Sequence, residues 1–137
     1  PIKGVDALIT SHRGIILGID VADCAPVWII ERTGKVGAVV HSGKKGTLAE
    51  IVPKTIARLT TEFSIDPANL IVIIGPCIRP PCYEIDFAKI IRKQATAGGI
   101  TTIYDEQICT ACHPERYYSY RREKGKTGRM LATLLLN

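Results

Sequence analysis

From Val5 to Val40 the sequence is a succession of short apolar runs broken by polar turns, a pattern that commits the chain's opening to β-structure. Val5 to Thr10 reads as one strand and Gly14 to Ile19 as the next, with a Ser-His-Arg-Gly turn between them. Pro26 to Glu31 follows, and Thr33-Gly34-Lys35 turns it into Val36 to Val40. The expected product is a β-meander with a polar break at Asp23-Cys24.

The period changes after the glycines that follow His41. Leu48, Ile51, Val52, Ile56 and Leu59 recur at helical spacing, which predicts a helix from Thr47 to about Phe63. Pro53 either kinks that helix or stands in the first turn of its regular part. Leu70 to Ile74 is a buried strand between the turn Asp66-Pro67-Ala68-Asn69 and Gly75-Pro76. A second helix is expected from about Asp86 to Ala97, stopped by Gly98-Gly99. Ile100 to Tyr104 suits a short strand, and Met130 to Leu136 a last one. With 137 residues, 46% of them apolar, the chain can build one core but not two. The expectation is a single α/β domain over residues 1–137, with a mixed β-sheet and two main helices. Its apolar runs are strand-sized, far below the ~20 residues needed to cross a bilayer. No basic-then-apolar leader opens the sequence, so no membrane partner is expected and the cytoplasm is the expected compartment.

A net charge of +5 favours anionic partners, among them phosphates and nucleotides. The excess gathers at Lys44-Lys45 and between Arg116 and Arg129. Neither stretch is interleaved with the aromatics of an RNA-recognition motif, and no helix-turn-helix is evident, which argues against nucleic acid. Five cysteines, an odd count, point to thiols or metal ligands rather than a disulfide framework.

Cys24 and His41 stand at the ends of apolar strands that the meander brings together. A thiol beside an imidazole can bind a borderline metal such as zinc, or form a nucleophile–base pair. A buried cysteine and an unrelated surface histidine is the bland alternative. Ser42-Gly43-Lys44-Lys45-Gly46-Thr47 then leads a glycine-bracketed basic turn into a helix. It is either an anion site or a solvated, capped turn, and it lacks the Walker spacing. Gly75 to Glu84, with three prolines, is a stiff wall of the kind that lines a pocket; Cys77 and Cys82 within it read as packing residues. Cys109-Thr110-Ala111-Cys112-His113 matches the C-x-x-C-H haem-attachment signature and the C-x-x-C of redox or metal sites, but packing is the preferred reading.

In order along the chain, Val5-Asp6-Ala7-Leu8-Ile9-Thr10, Val21-Ala22-Asp23-Cys24-Ala25-Pro26-Val27 and Ala38-Val39-Val40-His41-Ser42-Gly43 form one series. It continues with Ile74-Gly75-Pro76-Cys77-Ile78, Cys82-Tyr83-Glu84-Ile85 and Cys109-Thr110. Tyr117-Tyr118-Ser119-Tyr120-Arg121-Arg122-Glu123 and Thr127-Gly128-Arg129 close it. The series resembles the laccase-domain, or polyphenol oxidoreductase-like, family, whose enzymes are regarded as zinc-dependent purine nucleoside phosphorylases and deaminases. The resemblance implies a layered α/β domain, and a zinc site of one cysteine and two histidines onto which Cys24 and His41 fall. The third family ligand belongs to a Gln-x-His-Gly segment upstream of the Val5 strand, which this sequence does not include. Three explanations stand open: the segment lies upstream of Pro1, outside this sequence, another residue such as His113 or His12 substitutes for it, or the metal is lost. Cys24, His41, Lys45 and Arg121 take catalytic positions by the resemblance, and Lys44, Lys45, Arg121 and Arg129 bind phosphate or substrate. Lys44-Lys45 replaces the family's usual Trp-Arg, which removes an aromatic surface and the planar fork for bidentate phosphate contact. The stretch from Glu84 to Cys109 is also shorter than in longer relatives.

The expected partners are thus a purine nucleoside and phosphate. A metal-free Cys-His hydrolase or transferase, or a catalytically degenerate anion-binding module, is the alternative. The family's older label of multicopper polyphenol oxidase needs many imidazoles, and this sequence has three histidines. A single copper at Cys24 and His41 is the most copper chemistry it supports.

Overall fold

The computed structural model describes residues 2–137. Its centre is a five-stranded sheet of β1 (Ala7–Thr10), β3 (Ala25–Glu31), β4 (Gly37–Ser42), β5 (Leu70–Ile74) and β6 (Thr102–Asp105), in the order β1-β4-β3-β5-β6. Neighbours are antiparallel except β5 and β6, which run parallel, so the sheet is mixed as expected. The parallel pair requires a crossover, and α3 (Phe87–Ala97) supplies it.

Alternation along the strands sends side chains to two different covers. Val27 and Ile29 of β3, Ala38 and Val40 of β4, and Val72 and Ile74 of β5 face the helices. There they meet Val52, Ile56 and Leu59 of α2 (Ile51–Glu62) and Ile91 and Ala95 of α3. Trp28, Ile30 and Val39 point the other way, onto Leu17, Ile19, Ala132, Leu134 and Leu136.

That second cover corrects the meander. β2 (Ile16–Val21) does not join the main sheet; it pairs antiparallel with β7 (Met130–Leu135) as a two-stranded ribbon. The reason lies in its pattern. β4 is buried on both faces, whereas β2 alternates exposed with inward residues and suits a cover with one wet face. The indole Nε1 of Trp28 donates to the Thr133 carbonyl at 2.8 Å and ties the ribbon to the sheet. A Cβ on Gly37 would stand 2.8 Å from Leu134 Cδ2, so the two layers meet where only glycine fits.

The helix expected from Thr47 is two helices. α1 (Lys44–Leu48) ends before Glu50, which adopts a left-handed φ of 60°, and α2 begins at Ile51. Pro53 therefore stands in the first turn of α2, where its missing N–H costs no helical bond. Other boundaries move by a residue or two, and one matters: β4 runs on to Ser42, which places His41 inside the strand rather than after it. Among the described residues no helix is long and apolar enough to cross a membrane.

Candidate active site

In the register of β3 on β4, Ala25 faces Ser42 and Pro26 faces His41. Cys24, one residue before β3, is thereby set against Gly43, one residue after β4. A Cβ on Gly43 would lie 2.6 Å from Cys24 Sγ and 3.7 Å from His41 Cε1. Glycine suits this position because of the close approach of the Cys24 thiol rather than because of backbone conformation, since its φ is −90°.

Both side chains line a cavity of about 410 Å³, in the range of small-molecule sites. Lys44, Arg121 and Arg129 give it a cationic rim, and Tyr83, Phe87 and Tyr120 an aromatic wall. The Tyr83 and Phe87 rings pack with centroids 5.3 Å apart. The Arg121 guanidinium lies 4.6 Å above Tyr83, and Arg129 lies 5.8 Å from the Tyr120 ring. Lys45, expected at the phosphate, is exposed on α1 and does not line the cavity; Lys44 does. His12 and His113 do not line it either, and His113 Nδ1 is paired instead with Glu115 Oε1 at 3.3 Å.

His41 is held twice by Asp6: its backbone N–H donates to the Asp6 carbonyl at 2.7 Å, and its Nδ1 lies 3.2 Å from Asp6 Oδ1. With the proton on Nδ1, Nε2 remains as the ring's free electron pair. A carboxylate behind an imidazole is the usual support of a metal-ligating histidine, so Cys24 and His41 fit the thiolate-and-imidazole chemistry of zinc. Burial pushes the Cys24 thiol above its ordinary pKa, Asp23 and Asp6 add to the rise, and Arg129 partly opposes it. A thiol so placed is held in its neutral, weakly nucleophilic form unless a cation faces it.

The organiser of the site is Asp23, which sequence alone presents only as a polar break between strands. It is buried and takes a left-handed φ of 85°. Its Oδ1 accepts from Thr110 Oγ1 at 2.6 Å, and its Oδ2 from Ser119 Oγ at 3.0 Å and the Arg121 backbone N–H at 2.7 Å. Its carbonyl accepts from the Ile78 N–H at 2.8 Å. Strain of about 1–3 kcal/mol for such a φ is offset by these bonds, which join three otherwise separate loops behind Cys24.

One of those loops carries a second constellation. Cys82, Cys109 and Cys112, expected as packing residues, bring their sulfurs within 4.8 Å of one another, a group able to hold a metal ion. The C-x-x-C spacing was the available signal, and the missing partner was Cys82, 27 residues upstream of the pair and placed beside it only by tertiary folding. Cys77, by contrast, is a packing residue, with its thiol pushed up to about 12 by burial.

The family model described as multi-copper polyphenol oxidoreductase laccase matches residues 1–87 and 83–137. The chain is 33% identical to a purine nucleoside phosphorylase of Clostridium acetobutylicum, over 95% of this chain and 66% of that protein. It is 36% identical to one of Streptomyces coelicolor, over 100% and 66%. Among solved structures, YlmD from Geobacillus stearothermophilus superposes with a TM-score of 0.94 at 29% identity, covering 98% of this chain and 62% of that one. The hypothetical protein YfiH of Bacillus licheniformis shares the fold, with a TM-score of 0.94 at 24% identity, over 96% of this chain and 61% of that one. The chain thus spans no more than 66% of the length of these relatives.

Proposed function

The chain belongs to the multi-copper polyphenol oxidoreductase laccase family, and from that membership we propose that it carries the nucleoside site of a purine nucleoside phosphorylase. The observation that carries the proposal is one cavity in which Cys24 and His41 meet a cationic rim and an aromatic wall. Relatives named purine nucleoside phosphorylase support the substrate class.

In phosphorolysis a phosphate oxygen bonds to the anomeric carbon of the ribose while the bond from that carbon to the purine nitrogen breaks. The products are ribose 1-phosphate and the free base. Negative charge enters with phosphate and gathers on the departing base, so the site must hold an anion and ease a leaving group. Arg121, Arg129 and Lys44 bind the phosphate in this reading; of the two lysines expected there, Lys45 lies outside the cavity lining and is left out. Tyr83 and Tyr120, each with an arginine against its ring, fix those guanidinium groups and offer flat faces to the purine. Phe87 and Ile78 supply apolar surface that excludes water, which would otherwise compete with phosphate. Cys24 and His41 would hold zinc, which supplies Lewis acidity to the site, and Asp6 fixes the imidazole ring.

The test is to incubate the zinc-supplemented protein with inosine, guanosine and adenosine, with and without phosphate, and to quantify free base and ribose 1-phosphate by chromatography. Base release that requires phosphate is expected, with a raised phosphate KM in Arg121→Ala. Release of base at the same rate without phosphate would make the site a hydrolase. Absence of turnover on all three nucleosides would remove the assignment.

A further inference from the structure

Cys82, Cys109 and Cys112 play no part in the proposed chemistry, yet they form the densest group of soft ligands on the surface described here. We propose that they bind one thiophilic divalent cation of the zinc class, at a structural site separate from Cys24 and His41, which staples the Gly75–Glu84 loop to the 109–112 turn. The inference does not depend on the nucleoside reading.

Geometry is the first ground. Cys82 Sγ and Cys112 Sγ are 3.5 Å apart, and all three sulfurs fall within 4.8 Å of one another. Tetrahedral zinc with bonds of about 2.3 Å to sulfur sets neighbouring sulfurs about 3.8 Å apart, which lies between those two figures. Two of the ligands come from a C-x-x-C turn, the commonest spacing for supplying adjacent corners of a tetrahedron. The 3-10 turn Thr110–Cys112, in which the Cys112 N–H donates to the Cys109 carbonyl at 3.2 Å, folds the two side chains back to one side.

The second ground is that the protein holds this turn in place before any ion arrives. Arg122 is spent on it: Nη1 donates to the carbonyls of Thr110 at 3.0 Å and Ala111 at 3.2 Å, and Nη2 to that of Tyr117 at 2.8 Å. Cys109 bridges in parallel to Cys77, with the Cys77 N–H donating to Ile108 at 3.2 Å and the Thr110 N–H to Cys77 at 3.2 Å. Cys82 is fixed from the opposite side by the bond from its N–H to the Arg79 carbonyl at 2.9 Å. Such preorganisation lowers the ordering cost of ligation.

Three thiols are lost as thiolates when the ion binds, releasing up to three protons, and solvent supplies the fourth position beside exposed Cys112. The consequence reaches the cavity by two short routes. Tyr83, next to Cys82, stands in its wall, and Thr110, inside the C-x-x-C, donates to Asp23 beside Cys24.

Thiol protection tests this without altering the cluster. Cys24→Ala protein, reduced and freed of metal, is alkylated with iodoacetamide with and without zinc ions, and each site is followed by peptide mass spectrometry. Zinc is expected to slow labelling of Cys82, Cys109 and Cys112 together by at least roughly tenfold. Cobalt ions added to the same protein should give sulfur-to-cobalt charge-transfer absorption that saturates at one equivalent. The absorption should disappear when Cys109→Ser and Cys112→Ser are added. Labelling rates unchanged by zinc would overturn the proposal. So would isolation of the protein lighter by two hydrogens, with Cys82 and Cys112 crosslinked and no metal bound after reduction, which would make the group a redox pair.

Discussion

Two sulfur environments lie on either side of Asp23, and they differ in what surrounds the sulfur. Cys24 is half-buried, has one imidazole for company and opens on a cavity with charged and aromatic walls. The group of Cys82, Cys109 and Cys112 has three sulfurs, an exposed edge and no place in that cavity's lining. A cation held by few protein donors beside a cavity keeps positions open for substrate, whereas one held by three thiolates outside that cavity's lining keeps a single solvent position and serves as a clamp. The comparison assigns reactivity to the first and rigidity to the second, with Asp23 bonded to both neighbourhoods.

The widest separation between the two should come from Cys24→Ala. Loss of a supporting residue behind a metal ligand typically costs about 10- to 100-fold in activity, so loss of the ligand itself should lower phosphorolysis by roughly a hundredfold or more. Thermal stability and zinc protection of the other three thiols should stay as they were. Parallel turnover and alkylation measurements on one preparation check both halves. If activity survives while protection is lost, the two roles are reversed.

Asp23→Ala should injure both regions at once. It strands the Thr110 hydroxyl, the Ser119 hydroxyl and the Arg121 N–H, each donating to that carboxylate now. With buried donors left unpaired, about 2–4 kcal/mol of stability should be lost, read as a lower urea midpoint. Nucleoside turnover and zinc protection should weaken together. A variant that loses only one of the two would show that Asp23 does not couple them.

Much of this was legible before any fold was known, and the reasons differ by element. Leu70–Ile74 and the helix ending at Gly98 carry period and punctuation within a few residues, so their local pattern sufficed. Cys24 and His41 were recoverable because a hairpin joins their strands, which makes their meeting almost local. The pairing of β2 with β7 was not, since it spans the length of the chain and nothing in Ile16–Val21 names its partner. Cys82 meeting Cys109 and Cys112 was hidden for the same reason. Lys44 and Lys45 could be separated only by the start of α1, which turns one toward the cavity and leaves the other outside its lining.

Gly43→Ala is a finer probe, confined to the Cys24 side. The backbone at Gly43 is acceptable to alanine, but the new methyl would press on Cys24 Sγ at 2.6 Å, while meeting His41 Cε1 at an ordinary contact distance of 3.7 Å. The thiol must move, and small displacements of reacting groups are costly, so turnover should fall about tenfold. The melting temperature should change little, and the three-thiol group should be untouched. Activity equal to the parent would mean that Cys24 has room to spare and that its position is not critical.

The smallest effect should appear in acid and on the side of the three-thiol group. Burial pushes the Asp105 carboxyl up, but hydrogen bonds from Arg79 and the Gln107 N–H, with the charges of Arg79 and Arg92, hold it net below its ordinary value. Arg79 grips both Asp105 oxygens, Nη1 at 3.1 Å from Oδ2, and so anchors the loop that carries Cys82 to the end of β6. A depressed carboxyl stabilises the fold fully above its unfolded pKa of about 4, and that contribution is lost as pH falls through the lower, folded value. Asp105→Asn lacks this proton-linked contribution, so its stability should fall less steeply with acid. Urea midpoints at neutral pH and at about pH 3, taken with chelator present to keep metal release out of the comparison, measure the difference. Parallel acid slopes for parent and variant would show that Arg79 and Asp105 are not coupled to folding, leaving the Cys82 loop to be held by its backbone bonds and by any cation among the thiols.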